Sequence, residues 1–246
     1  MESNTETYIT AFSGMQRWFH KHIIHFMVLF FITGLPVFST NFSFLASMFS
    51  APHDAISFAG AGGPALGETP ADRLAGGLQV ARILHRVTAL FFVMTALPFC
   101  LTMLAFVRRW KIWPEQSWGP RALFRGLGEL WTTYVRLEHG RFGKFNTGQK
   151  GFAWLMILAV AAITGSGMVL MFRDLFSQAF QEQARFVHAV SFVFISLLLP
   201  VHIYLSLIPM NRHGLRAIFR DGLMSADAVR EHHPLWYEEL KREGRL

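Results

Sequence analysis

The chain has 246 residues, is 52% hydrophobic and 15% aromatic, and has a mean hydropathy of +0.32. Charged residues make up 16%, where a soluble domain of this size carries about 25%. The net charge of +7 gathers at the ends of apolar runs, which follows membrane topology and argues against nucleic acid as a partner. The single cysteine, Cys100, excludes an intrachain disulfide, a four-cysteine zinc site and an iron–sulfur cluster held by this chain alone. It reads as a small buried apolar residue.

Four stretches are long enough to cross a hydrocarbon layer, which takes about 20 residues. Helices are expected at about 18–38, 82–107, 149–172 and 184–210, within one membrane domain spanning 1–246. The first run is too long for a signal-peptide core and reads as a retained membrane helix. The stretch that follows it, Asn41 to Gln79, is rich in Gly, Ala, Pro and Ser, with breakers at Gly60 to Gly63 and Gly76-Gly77, and is expected to be irregular. Between helices two and three, Leu123, Leu127, Leu130, Trp131, Tyr134 and Leu137 recur at helical spacing among basic residues. That segment reads either as a helix lying at the membrane surface or as one covering the end of the bundle. The cytoplasmic tail, 212–246, is expected to be helical from Ser225 to Lys241 and interrupted near Pro234.

Basic residues orient the helices. They crowd the segment from Arg108 to Lys150 and the tail from Arg212 to Arg245, whereas Arg73 alone precedes Arg82 in the first connection. The positive-inside rule then places both termini and the central connection in the cytoplasm, with four spans between them. The fold expected is an all-α integral membrane protein, a four-transmembrane-helix bundle of a bacterial cytoplasmic membrane.

Histidines carry the chemistry. His188 and His202 lie fourteen residues apart in an uncharged stretch, Phe186 to Asn211. A helix climbs about 21 Å over that span and returns to within about 40° of the same face. One helix thus offers an imidazole near each membrane side, and imidazole is a common axial ligand of haem iron. Topology supplies partners: His85 shares the outer depth with His188, and His20 the inner depth with His202. His20, His22 and His25 all lie near the inner end of helix one and point in different directions, so spacing alone leaves the fourth ligand open. Two haems, each clamped by two histidines, account for this pattern. With no Cys-x-x-Cys-His, they would be bound non-covalently as b haems. Arg17, Arg82 and Arg86 flank these histidines and are candidates for haem propionates, or simple membrane-end anchors. Gly165 and Gly167 in helix three would admit a close neighbour. A di-iron membrane oxygenase, suggested by the crowded His20 to His25, and a haem-free membrane anchor are the remote alternatives.

The chain also resembles a known family, the di-haem cytochrome b (gamma) subunits of membrane-bound formate dehydrogenases and related respiratory complexes. The resemblance rests on Gln16 to His20 with Thr33 to Pro36, on Arg82 to His85, and on Gly143 to Lys150. It continues through His188 and His202 to Tyr204, then Met224-Ser225 and His232 to Tyr237, covering nearly the whole chain. Its motifs favour His20 over His22 and His25. It implies two b haems and electron flow from a partner's iron–sulfur subunit, through the outer and then the inner haem, to menaquinone or ubiquinone near the cytoplasmic side. The quinone pocket would use Asn146 and Gln149, whose amides can hydrogen-bond a quinone carbonyl. Turn and cap chemistry is the other reading of that pair. Formate oxidation would belong to a molybdenum or tungsten catalytic subunit, and a hydrogenase or another molybdoenzyme is the alternative complex.

Overall fold

The structure, a computed structural model, describes residues 7–50, 69–106, 110–113, 119–136 and 140–246. Arg108, Arg109 and Leu137, and the Gly60 to Gly63 breakers, lie outside the described residues, as do the side chains of Leu123 and Tyr134. Strand β1 (Tyr8–Thr10) precedes α1 (Gly14–Phe38), a 3-10 helix (Thr40–Phe49) and α2 (Pro70–Ala105). Then come α3 (Pro120–Tyr134), α4 (Thr147–Met171), α5 (Gln178–Leu207), α6 (Arg212–Phe219), β2 (Leu223–Ser225), α7 (Ala226–His232) and α8 (Pro234–Arg242). Helices α1, α2, α4 and α5 are each long and apolar enough to cross a membrane, and the chain is a four-span helical membrane protein.

All four spans begin earlier than hydropathy indicates, because their starts are set by polar caps. The Ser13 hydroxyl accepts from the Gln16 amide at 3.2 Å while the Gln16 side chain accepts from the Ser13 amide at 3.0 Å, a reciprocal cap on α1. Thr69 caps α2 through the Asp72 amide at 3.3 Å, with Pro70 at the first helical position, where its missing N–H costs nothing. Asn146 and Gln149 cap α4 reciprocally, and Ser177 caps α5. Hydropathy registers where lipid begins; the caps register where backbone N–H groups need partners. At the far end, α5 stops at Leu207 because Pro209 pushes Ile208 into an extended conformation (φ −63°, ψ 147°), three residues short of the expected end. Pro200 sits inside α5 without ending it.

The contacts of the chain divide into two units, Trp18–Thr102 and the remainder of the described residues. In the first, the segment expected to be irregular is largely helical where described, with the 3-10 turn at Thr40–Phe49 and α2 already under way at Pro70. Gly76 and Gly77 do not break α2; they are buried in it. A Cβ on Gly77 would fall 2.0 Å from the Ala46 carbonyl oxygen, so the glycine is there to let the 3-10 backbone approach. Cys100 is exposed on α2, contrary to the expectation of burial.

In the second unit α4 and α5 pack against one another. Small buried residues line their contact, Ala159 and Ser166 on one helix and Ala184 and Ser191 on the other, as close helix approach in lipid requires. Helix α3 rests on the start of α4: a Cβ on Gly126 would meet the Thr147 side chain at 2.4 Å. Its other side shows Phe124, Leu127 and Trp131, all exposed. Helix α3 thus covers a helix end, the second of the two readings, and its outward side is an apolar stripe. The only well-buried apolar cluster among the described residues is a small cap, Ile9, Ala11, Ala217, Met224, Val229, Trp236 and Leu240. It is built where β1 pairs antiparallel with β2, Ile9 opposite Met224. The tail breaks between α7 and α8 at Pro234, as expected.

Candidate functional site

His85 lies on α2 and is held by α1. The Thr33 hydroxyl donates to the Leu29 carbonyl at 2.6 Å and lies 3.0 Å from His85 Nδ1. With its own proton committed, that hydroxyl can only accept, so Nδ1 carries the ring proton and Nε2 the lone pair. Phe30 stands edge-on to the ring at 5.2 Å. Gly34 completes the seat: a Cβ there would lie 3.2 Å from His85 Cε1.

His188, on α5, is held by α4 in the same manner. Its Nδ1 lies 3.0 Å from the Ile163 carbonyl oxygen and 3.2 Å from the Ser166 hydroxyl. A carbonyl only accepts, so Nδ1–H is again the donor and Nε2 holds the lone pair. A Cβ on Gly167 would stand 3.2 Å from His188 Cε1, whereas Gly165 faces open space. Of the two glycines singled out in the sequence, one is used. The hydroxyls of Thr33 and Ser166 were missed; the signal was a hydroxyl residue directly followed by glycine inside an apolar run.

His202 is held differently, its ring stacked on Phe152 with centroids 4.8 Å apart and planes at 12°. On α1, His22 Nδ1 meets the Trp18 carbonyl at 2.7 Å and its ring lies 4.3 Å from the Trp18 ring. His25 Nδ1 meets the Lys21 carbonyl at 3.1 Å. Both histidines are thus tied to their own helix, while His20 is half-buried. Arg17 donates to the Arg220 carbonyl, and its buried Nε finds no hydrogen-bond partner among the described residues. Arg82 and Arg86 are exposed.

Asn146 and Gln149 form a reciprocal cap at the start of α4. Asn146 Oδ1 accepts from the Gln149 amide at 2.8 Å, and Gln149 Oε1 accepts from the Asn146 amide at 3.0 Å. Cap chemistry, one of the two sequence readings, is therefore present. It engages the side-chain oxygens; the NH2 of each amide is a donor group. Two residues before Asn146, Lys144 donates to the Ala11 carbonyl beneath Phe12, Phe145 and Trp236. Burial, with Lys111 and Arg245 nearby, lowers its pKa to about 8.

A histidine cluster that the sequence reading left unassigned locks the tail. His213 Nε2 lies 2.9 Å from His233 Nε2, His233 Nδ1 lies 3.0 Å from the Gly143 carbonyl, and His232 stacks on His213 at 4.5 Å. Burial, with His233 and His232 beside it, lowers the His213 pKa to about 3. Burial also lowers that of His233 to about 4, opposed by the Gly143 carbonyl and reinforced by His232 and Lys144.

These residues suit a planar iron macrocycle. Neutral imidazoles with Nδ1–H engaged present Nε2 as a metal ligand, and the glycines clear the ring edges that any other residue would crowd. The orphaned Arg17 Nε–H suits a propionate oxygen.

The profile of a family described as prokaryotic cytochrome b561 matches residues 11–221. The chain is 26% identical over 179 residues to the formate dehydrogenase cytochrome b556(fdo) subunit of Escherichia coli K12, covering 69% of this chain and 76% of that protein. It is 31% identical over 101 residues to the formate dehydrogenase cytochrome b556 subunit of Haemophilus influenzae, covering 39% and 41% respectively. To the nitrate-inducible formate dehydrogenase cytochrome b556(Fdn) subunit of E. coli K12 it is 25% identical over 104 residues, 41% of this chain and 46% of that one.

Proposed function

We propose that this chain, which belongs to the prokaryotic cytochrome b561 family, is the haem-carrying membrane subunit of a formate dehydrogenase. In this reading it accepts electrons from a partner's iron–sulfur subunit and delivers them to quinone. The observation that supports it most is the pair of seated membrane histidines, His85 and His188, each with Nδ1–H engaged. Bound haem would supply one-electron exchange at iron, and every remaining role falls to this chain's own residues. His85 and His188 hold one haem at the outer depth, and His20 and His202 hold the other at the inner depth; the depths rest on the topology read from charge. Arg17 takes a propionate through its otherwise unpartnered Nε–H, with Arg82 and Arg86 as exposed alternatives. The basic cap and tail face the cytoplasm, in a bacterial inner membrane.

Quinone binds by Asn146 and Gln149, whose NH2 groups donate to its carbonyl while protons come from cytoplasmic water. A catalytic subunit holding molybdenum or tungsten completes the complex. The cap geometry selects the test. Gln149→Leu would remove both the quinone donor and half of the α4 cap, so it cannot separate them. Gln149→Glu and Asn146→Asp keep the oxygen that caps and lose the NH2 that donates. Both variants should retain haem and its reduction by the donor while quinone reduction falls about tenfold, the effect of about 1.4 kcal/mol. Wild-type quinone kinetics in both would place the pocket elsewhere. The proteins that copurify with the chain identify the complex: a hydrogenase large subunit in place of a formate dehydrogenase would replace this assignment.

A further inference from the structure

Two parts of the chain with no evident sequence repeat build the same device. In one, Thr33 and Gly34 of α1 face His85 of α2; in the other, Ser166 and Gly167 of α4 face His188 of α5. Each time a hydroxyl residue and the glycine after it meet an imidazole from the following membrane helix. Each time the hydroxyl lies within 3.2 Å of Nδ1. Each glycine's missing Cβ would stand 3.2 Å from Cε1 and 3.5 Å from Nδ1. Each hydroxyl is itself anchored to its own helix, Thr33 on Leu29 at 2.6 Å and Ser166 on Ala162 at 2.7 Å. A hydroxyl whose proton is spent this way has only lone pairs to offer the ring. The seat therefore dictates both the tautomer and the rotation of the imidazole.

We propose that Thr33 and Ser166 are positioning residues for axial histidines: each hydroxyl–glycine pair seats one imidazole with Nδ1–H bonded and Nε2 turned toward iron. The proposal rests on the haem reading above and adds to it how the ligands are aimed and tuned. A bonded Nδ1–H pushes electron density onto Nε2, strengthens the iron–imidazole bond and favours the ferric state. The glycine sets how close the ring edge lies to the neighbouring helix, and hence the ring's angle about the iron–nitrogen axis. At His188 the Ile163 carbonyl shares the Nδ1 proton with Ser166, so the hydroxyl is the smaller part of that seat.

The test is a redox titration of the purified full complex, followed by optical and low-temperature electron paramagnetic resonance spectra. Thr33→Val keeps the shape and removes the hydroxyl; it should raise one haem midpoint, with the ferric-to-ferrous equilibrium shifting about fivefold, or about 40 mV for one electron. Ser166→Ala should raise the same midpoint by less. Gly34→Ala and Gly167→Ala should shift the resonance g-values of that haem, because a new methyl must displace the ring. Thr33→Ser and Ser166→Thr keep the hydroxyl and should retain wild-type potential. Loss of a haem in Thr33→Val with retention in Thr33→Ser supports the seat as well; loss in both overturns it. Unchanged potentials in Thr33→Val and Ser166→Ala, with two haems bound, overturn the positioning role alone. A wild-type complex without haem overturns the reading beneath it. Shifts in two different haems would keep the seats and overturn the pairing of His85 with His188.

Discussion

The four long helices and the small cap follow opposite packing rules with the same kinds of residue. In the cap, Val229 and Leu240 are fully buried and Trp236 is 3% exposed. On the helices, Leu158, Phe186 and Leu197 are each more than 60% exposed. The cap is organised by water, which drives apolar side chains together. The helices sit in a solvent as apolar as leucine, where association depends on small residues and hydrogen-bonded polar groups. Polar side chains inside the helices are consequently the informative ones, and those that meet histidines do so in an ordered way. An ordinary core is what holds the N-terminal strand to the tail.

Substitutions should separate the two regions, and the largest effect falls on the helices. His85→Ala or His188→Ala should abolish the same haem, and His202→Ala the other, with the cap intact in all three. Redox titration reads which centre disappears. Removal of one centre by both His85→Ala and His202→Ala would refute the pairing.

The next effect falls on the cap. Trp236→Ala should destabilise its docking by about 3–5 kcal/mol, seen as rapid proteolysis of the tail, with haem spectra preserved. Leu197→Ala, at a residue 67% exposed on α5, should change stability by less than about 0.5 kcal/mol. Equal effects from the two would mean that the cap has no core of its own.

A smaller effect depends on pH. His213 and His233 titrate near 3 and 4 in the folded tail, below the ordinary value of about 6.5. The undocked tail therefore binds protons more readily. The stabilisation from these neutral rings is complete above about pH 6.5 and is lost as pH falls toward 4. His232 and Lys144 face the pair and add repulsion once it charges. Tail proteolysis should accelerate between pH 7 and pH 5, and a His213→Gln, His233→Gln double variant should lose most of that dependence. Identical profiles in the two proteins would exclude the pair as the origin.

The sequence reading reached the four spans, the break at Pro234 and the histidines to inspect, because each leaves a mark in hydropathy, proline position or residue type. It missed helix starts by 2 to 12 residues, Pro70 against an expected 82 being the widest. Capping is a hydrogen-bond property of Ser13, Thr69 and Ser177, which hydropathy does not record. It took Gly76-Gly77 for breakers because close approach to Ala46 is a tertiary fact. At Asn146 and Gln149 the residue types alone fit both a helix cap and a quinone donor, and the cap became visible only in the reciprocal bonds of the folded chain. The hydroxyl–glycine seats stayed hidden because Thr33 and His85 are 52 residues apart, and Ser166 and His188 only 22.

Haem stoichiometry decides most directly whether these histidines serve iron. A pyridine haemochrome assay on the purified complex, referred to this chain's concentration by amino-acid analysis, should give two b haems per chain. One haem would contradict the two-depth arrangement of His20, His85, His188 and His202, and none would leave the seated imidazoles as hydrogen-bonded membrane histidines without a metal.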